Sequence, residues 1–130
     1  MDMSELAEKI TESELEVLEV LWQADKPLSV TPIRMQLETE RGWEASTVKT
    51  LLRRLCDKGV VAAKKREVFY YRPLLDREEY RRWSVRSLLN RIFRGSARDL
   101  IASLVEEDQL SEADLQELRE MLYAEEEQDE

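Results

Sequence analysis

Residues 45–59 read ASTVKTLLRRLCDKG, and the spacing of the apolar residues predicts an amphipathic helix over about 45–58. Positions i, i+3, i+4, i+7 and i+8 form one buried stripe, which consists of Val48, Leu51, Leu52, Leu55 and Cys56. The opposite side carries short hydroxyls and long charged side chains: Ser46, Lys49, Thr50, Arg53 and Asp57, with Thr47 and Arg54 flanking them. Gly59 is expected to end the helix, because glycine readily adopts the left-handed conformation.

Two helices are predicted upstream of this one. The first begins at a capping box formed by Thr11 and Glu14 and ends near Gln23. The second is capped by Ser29 or Thr31, accepts Pro32 in its first turn and ends at Arg41-Gly42.

After Gly59 the apolar pattern changes to one typical of strands. Residues 60–63 and 68–71 are β-prone runs on either side of the polar residues 64–67, which predicts a hairpin closed by Pro73. The turn has no favoured Asn-Gly or Asp-Gly pair, so its type stays open. Three helices followed by a hairpin is the order of a winged helix-turn-helix. The predicted fold class is therefore mostly α with a small β-hairpin, followed by a helical C-terminal domain.

Three further helices are predicted in the C-terminal part. A capping box at 76–79 opens the first, which stops at Gly95; Ser96 or Asp99 starts the second, and residues 111–114 cap the last. Their apolar positions include Leu88, Leu89, Ile92, Leu100, Ile101, Leu104, Leu115, Leu118 and Leu122. A segment of about 50 residues is too short to bury these side chains alone, so we expect a second copy of the chain to cover them.

These patterns divide the chain into three parts. We expect a winged-helix domain at 1–75, a helical dimerisation domain at 76–124 and an acidic disordered tail at 125–130.

The net charge of −9 conceals a strong segregation. Residues 45–98 carry 15 basic and 5 acidic side chains, a net charge of +10, whereas residues 1–44 carry −7 and residues 99–130 carry −12. A basic block of this kind is where a polyanion such as duplex DNA is expected to bind. The residue types suit base edges and phosphates, and the candidate DNA contacts are Ser46, Thr47, Lys49, Thr50, Arg53, Arg54, Lys64, Lys65 and Arg66.

Each of these groups also has a simpler interpretation. The helix cations could form only a solvated face, and the hairpin cations could serve to block edge pairing with another strand. The position of Trp43, one residue before an expected N-cap, favours packing on Val48 over stacking on a sugar. Cys56 lies on the apolar stripe, so an unreactive core thiol is favoured over a redox sensor. The C-terminal carboxylates lack the spacing of a calcium loop and are expected to be solvated.

The composition argues against an enzyme. The chain has no His and a single Cys, which excludes Ser/His/Asp and Cys/His catalysis, imidazole metal ligation and an intramolecular disulfide. No glycine-rich phosphate loop or metal-ligand cluster organises the carboxylates, so no cofactor and no metal are predicted. No apolar run approaches the ~20 residues of a membrane span and no signal-peptide pattern is present, so we expect a cytoplasmic location without direct membrane association.

Several motifs resemble the penicillinase-repressor (BlaI/MecI/CopY) family of bacterial transcriptional regulators. They are Glu14-Leu15-Glu16-Val17-Leu18 with Trp22, Thr47-Val48-Lys49-Thr50-Leu51-Leu52-Arg53-Arg54-Leu55 with Lys58-Gly59, Phe69-Tyr70-Tyr71, and Leu115-Gln116-Glu117-Leu118-Arg119. The resemblance implies a homodimeric repressor whose winged helix binds inverted-repeat operators. It also implies a membrane-embedded metallopeptidase sensor as a partner.

The sequence departs from the regulatory features of this family in two places. Copper-sensing members carry paired cysteines near the C-terminus, whereas Cys56 stands alone, so copper sensing is not supported. Members linked to β-lactams are cleaved at a point that aligns near Ser103-Leu104, where the family's Asn-Phe pair is absent; cleavage is left open. The alternative function is a winged-helix module for protein–protein assembly, which salt-dependent binding to duplex DNA would distinguish.

Overall fold

The computed structural model describes residues 2–128, with side chains over residues 2–124. The elements in chain order are α1 (Met3–Glu8), α2 (Glu12–Gln23), α3 (Val30–Arg41), α4 (Ala45–Asp57), β1 (Val61–Lys65), β2 (Phe69–Pro73), α5 (Arg77–Ile92), α6 (Ala97–Glu106) and α7 (Glu112–Gln128). This confirms the mostly helical fold with a small hairpin. The chain forms two compact units, the first ending at Ser84 and the second beginning at Val85.

The predicted ends of α2, α3 and α4 are confirmed to within a residue or two. At the start of α2, the backbone N–H of Glu14 donates to Thr11 Oγ1 (3.2 Å) and that of Thr11 donates to Glu14 Oε1 (2.9 Å), completing the capping box. Ser29 occupies the N-cap of α3 but makes no side-chain capping bond. The three helices enclose one core, whose fully buried members include Val17, Leu18, Leu21, Ile33, Leu37, Val48, Leu52 and Leu55.

Helix α1 is an element that the sequence reasoning missed. The Asp2 carboxylate accepts from the backbone N–H of Glu5 (2.9 Å) and so caps the helix. Ala7 is buried, and Met3, Leu6 and Ile10 pack against the core as partly buried residues. Their spacing of three and four residues was a visible signal, but a helix of six residues is too short to be stable except by packing.

The hairpin pairs β1 with β2 antiparallel, with Val61 opposite Pro73 and Lys65 opposite Phe69. A third, single-residue strand joins it, because Leu28 and Tyr71 exchange backbone hydrogen bonds of 3.0 and 2.7 Å. The predicted polar tip at 64–67 is wrong by two residues, since Lys64 and Lys65 belong to β1. The turn instead spans 66–68 and is closed by the Arg66 N–H donating to the Val68 carbonyl (2.9 Å).

The first unit extends further than the predicted boundary at 75. Trp22 Nε1 donates to the Leu75 carbonyl (2.8 Å), and the Trp22 and Tyr80 rings lie 5.7 Å apart between centroids. Arg77 also pairs with Glu19 at 2.9 Å. The first turn of α5 therefore packs on α2. The first compact unit accordingly includes the start of α5 and extends to Ser84.

The second unit contains the remainder of α5 together with α6 and α7. Ser96 caps α6 through the Asp99 N–H (3.1 Å), and Ser111 and Asp114 form a capping box with two bonds of 3.0 Å. None of its described side chains, from 85 to 124, is buried. The helix α7 continues to Gln128, past the expected start of a disordered tail at 125. The rest of the predicted tail, namely the side chains of 125–128 and residues 129–130, lies outside the described residues.

Candidate nucleic-acid interface

A short turn sets the direction of α4 relative to α3. Gly42 caps α3 in the left-handed conformation (φ +68°), and its N–H donates to the Glu38 carbonyl (2.9 Å). A side chain with a Cβ rarely adopts this conformation, so glycine suits the position. Glu44 is the N-cap of α4, as expected, and Trp43 is partly buried against the core. The packing of Trp43 supports its interpretation as a staple rather than a DNA contact.

Helix α4 buries one side and exposes the other, as its sequence pattern predicts. Val48, Leu51, Leu52 and Leu55 are buried, whereas Ser46, Thr47, Lys49, Arg53 and Arg54 are exposed and Thr50 is half-buried. A depression of about 230 Å³ lies on the exposed side and is lined by Ser46, Thr47, Thr50, Leu51 and Arg54. Thr47 and Arg54, which the sequence places at the flank, thus lie around a concavity with Ser46 and Thr50. Lys49 and Arg53 do not line it.

A buried ion pair, which sequence reasoning missed, holds the C-terminal end of α4. Lys58 Nζ donates to both carboxylate oxygens of Glu14 (2.6 and 2.8 Å) and to the Lys9 carbonyl (2.8 Å). Glu14 is only 1% exposed. Burial raises the pKa of Glu14, but the hydrogen bonds from Lys58 and Thr11 outweigh it, so the net pKa is lowered. Glu14 therefore remains charged and joins the N-terminus of α2 to the end of α4.

The three predicted hairpin cations do not form one surface. Opposed residues in an antiparallel pair share a face, and successive residues alternate between faces. Lys65 is opposite Phe69, and its Nζ lies 5.8 Å from the ring centroid. Lys64 is opposite Tyr70 on the other face and, with Arg66, lines a separate cavity. The structure therefore separates Lys65 from Lys64 and Arg66.

The surroundings of Cys56 support an unreactive thiol. The side chain is partly buried against the core. Burial raises the pKa of the thiol, and the negative charge of Asp57 raises it further. Since the thiolate is the reactive form, a raised pKa lowers reactivity toward oxidants.

We expect Cys56→Ser to preserve DNA binding and to lower the free energy of unfolding by about 1 kcal/mol, because a hydroxyl is less well accommodated against apolar neighbours. The measurements are denaturant unfolding and the rate at which a neutral thiol reagent labels the native parent protein. Rapid native-state labelling of Cys56 accompanied by loss of DNA binding would contradict the core interpretation.

Similarity to known proteins extends over nearly the whole chain. Residues 10–124 match the family described as penicillinase repressor. The methicillin resistance regulatory protein MecI of Mammaliicoccus sciuri is 29% identical over 115 residues, which are 88% of this chain and 93% of MecI. The penicillinase repressor of Bacillus licheniformis is 31% identical over 115 residues, which are 88% of this chain and 89% of that protein.

Two solved structures resemble the fold. The solution structure of the DNA-binding domain of the repressor BlaI aligns with a TM-score of 0.51 and 32% identity over 55% of this chain and 88% of that domain. The structure of the hsRosR-S4 complex aligns with a TM-score of 0.51 and 21% identity over 83% of this chain and 96% of that one, which shows the fold alone. No helix among residues 2–128 is long and apolar enough to cross a membrane. The chain belongs to the penicillinase repressor family, whose members are transcriptional repressors and not enzymes.

Proposed function

We propose that the chain is a homodimeric transcriptional repressor that binds inverted-repeat operators in duplex DNA through α4. The observation that carries this proposal is the exposed side of α4, where hydroxyls and an arginine surround a depression. The Gly42 turn fixes one end of the helix and the Glu14–Lys58 pair fixes the other. A preorganised helix loses little freedom when it enters the major groove. Membership of a repressor family supports the same conclusion.

The exposed side of α4 supplies two kinds of contact. We assign base-edge contacts to the residues around the depression, since Arg54 can bond a guanine bidentately and Thr47 offers both a hydroxyl and a methyl. Ser46 and Thr50 complete this set. Lys49 and Arg53 lie outside the depression and are assigned to phosphates. Lys65 extends the basic surface along the hairpin, on the sheet face that includes Tyr71.

The second unit is assigned to dimerisation. Leu88, Ile92, Ile101, Leu118 and Leu122 are between 38% and 65% exposed, while Leu89, Leu100, Leu104 and Leu115 are half-buried. Soluble monomers rarely leave so many large apolar side chains uncovered. A twofold partner would cover them and would present two α4 helices to half-sites about 34–36 Å apart, which explains an inverted repeat. Because a repressor must reach its operator DNA, we also propose that the protein is cytoplasmic.

Alanine substitutions on α4 test the assignment. Arg54→Ala is expected to cost about 1–3 kcal/mol of binding and to relax specificity at one base position. Lys49→Ala and Arg53→Ala are expected to weaken binding to all sequences alike and to lower the salt slope by about one each. The measurement is titration of DNA selected from a random library, at several salt concentrations.

Arg98→Ala is the matched control, because it removes an exposed arginine of the second unit. It should leave DNA binding unchanged. Unchanged DNA binding in all three α4 variants would contradict the proposal that the exposed side of α4 contacts DNA. Binding to partner proteins with no salt-dependent binding to duplex DNA would instead favour an assembly module.

A further inference from the structure

A second basic concavity lies on the hairpin, away from α4. It has a volume of about 330 Å³ and is lined by Lys26, Pro27, Lys64, Arg66, Tyr70 and Arg72. Four of the six lining residues are cations, and the other two are a phenol and a proline. We call these six residues the wing pocket.

The register of the sheet explains why these residues meet. Lys64 opposes Tyr70, and Ala62 opposes Arg72, so Lys64, Tyr70 and Arg72 share one face. The bridge between Leu28 and Tyr71 brings the chain at Pro27 alongside Arg72. The opposite face carries Val61, which is buried, and Tyr71, which packs against the core that α4 helps to form. The wing pocket is therefore on the face of the sheet turned away from α4.

The cations of the wing pocket are not neutralised within the protein. None of the ion pairs formed among residues 2–124 includes Lys26, Lys64, Arg66 or Arg72. Four like charges around one concavity repel one another, and an anion bound between them relieves that repulsion. Arginine adds a planar fork that bonds phosphate or carboxylate bidentately.

The other two residues of the wing pocket favour a ligand that carries an apolar group as well as a negative charge. The ring of Tyr70 and the ring of Pro27 offer flat apolar surface beside the cations, and the Tyr70 hydroxyl can donate a hydrogen bond. The volume lies at the lower end of the range for small-molecule sites, about 300–1,000 Å³. An inorganic phosphate would leave the apolar walls uncovered, whereas a phosphate attached to one ring would cover them.

We propose that the wing pocket binds a small organic anion in which a phosphate or carboxylate group is attached to a flat ring. The site is separate from the surface of α4, and its occupation does not depend on the chain being a repressor.

Titration of the full chain with phenyl phosphate tests the proposal, with heteronuclear NMR as the readout. We expect saturable binding with shifts at Tyr70 and Arg72, and weaker binding of both inorganic phosphate and phenol, since each supplies only half of the interaction. Arg72→Gln should weaken phenyl phosphate binding about tenfold, because it removes a charge-assisted contact. The matched control is Lys65→Gln, which removes a hairpin cation from the opposite face and should leave the affinity unchanged.

A second measurement tests whether the anion that the wing pocket binds is a small ligand or a phosphate of the DNA backbone. Lys26→Gln and Arg72→Gln are titrated with a duplex of random sequence at low salt. We expect both to bind the duplex with the salt slope of the parent protein. The proposal is overturned if the binding of phenyl phosphate does not saturate, or if Lys65→Gln weakens that binding as much as Arg72→Gln does. It is also overturned if Lys26→Gln or Arg72→Gln lowers the salt slope of DNA binding.

Discussion

Glu14→Gln is expected to lower the free energy of unfolding by about 3 kcal/mol, at the lower end of the cost of breaking a buried ion pair. The substitution leaves the ammonium group of Lys58, which is only 27% exposed, without its negative partner. Glutamine can still accept from the Thr11 N–H, so the capping box is kept and the loss isolates the ion pair. Urea unfolding of the parent and the variant measures the difference.

The matched control is Glu16→Gln, which breaks an ion pair of the same helix with Arg41. That pair is 35% and 50% exposed, so its loss should cost only about 0.5 kcal/mol. Equal losses in the two variants would mean that burial of Glu14 adds nothing to the strength of its pair.

The same pair predicts a pH dependence. The folded-state pKa of Glu14 is lowered from its ordinary value of 4.5, so its contribution to stability is fully present above that value. The contribution is lost as the pH falls below 4.5 through the lowered pKa. In Glu14→Gln this part of the acid sensitivity should be absent, and an unchanged acid profile would contradict the assignment.

Removal of the second unit is expected to weaken binding to an inverted-repeat operator by about 10²–10⁴-fold, although every proposed DNA contact remains. The reason is that the second half-site no longer binds within the same complex. The truncation should end after Ser84, because Tyr80 packs on Trp22 and a shorter chain would expose that surface. Sedimentation should show a dimer for the full chain and a monomer for residues 1–84.

A single half-site provides the control for this comparison. The full chain and the truncated chain should bind it with similar affinity, since one α4 contacts it in either case. A monomeric full chain, or a truncated chain that binds the inverted repeat as tightly as the parent, would contradict dimerisation through the second unit.

The elements that sequence predicted well are those whose signals are local. The capping box of Thr11 and Glu14, the glycine after α3 and the apolar stripe of α4 each depend on residues within a few positions of one another. The ion pair between Glu14 and Lys58 joins residues 44 positions apart, and no local pattern reveals it. The docking of Tyr80 on Trp22 is equally non-local, which explains why the predicted domain boundary falls before α5.

In the candidate site, too, local features were predictable from the sequence and non-local ones were not. The apolar periodicity of the sequence identified the exposed side of α4. The depression, however, depends on the three-dimensional arrangement of Thr47 and Arg54 around Leu51. On the hairpin, a shift of one residue in strand pairing moves a side chain to the other face. Composition alone could not separate Lys64 from Lys65, nor could it associate Lys26 with Arg72 across the sheet.

The aromatic contacts at the start of α5 allow intrinsic tryptophan fluorescence to report on this part of the chain. The ring of Tyr80 is near two indoles, with its centroid 5.7 Å from that of Trp22 and 6.0 Å from that of Trp83. Tryptophan emission depends on the polarity and proximity of its neighbours, so detachment of this helix from α2 would change the fluorescence without any attached dye. Local opening of this kind costs less free energy than global unfolding and is invisible to methods that record only the folded fraction. Spectroscopy could therefore follow the helix that links the two units in the unmodified protein.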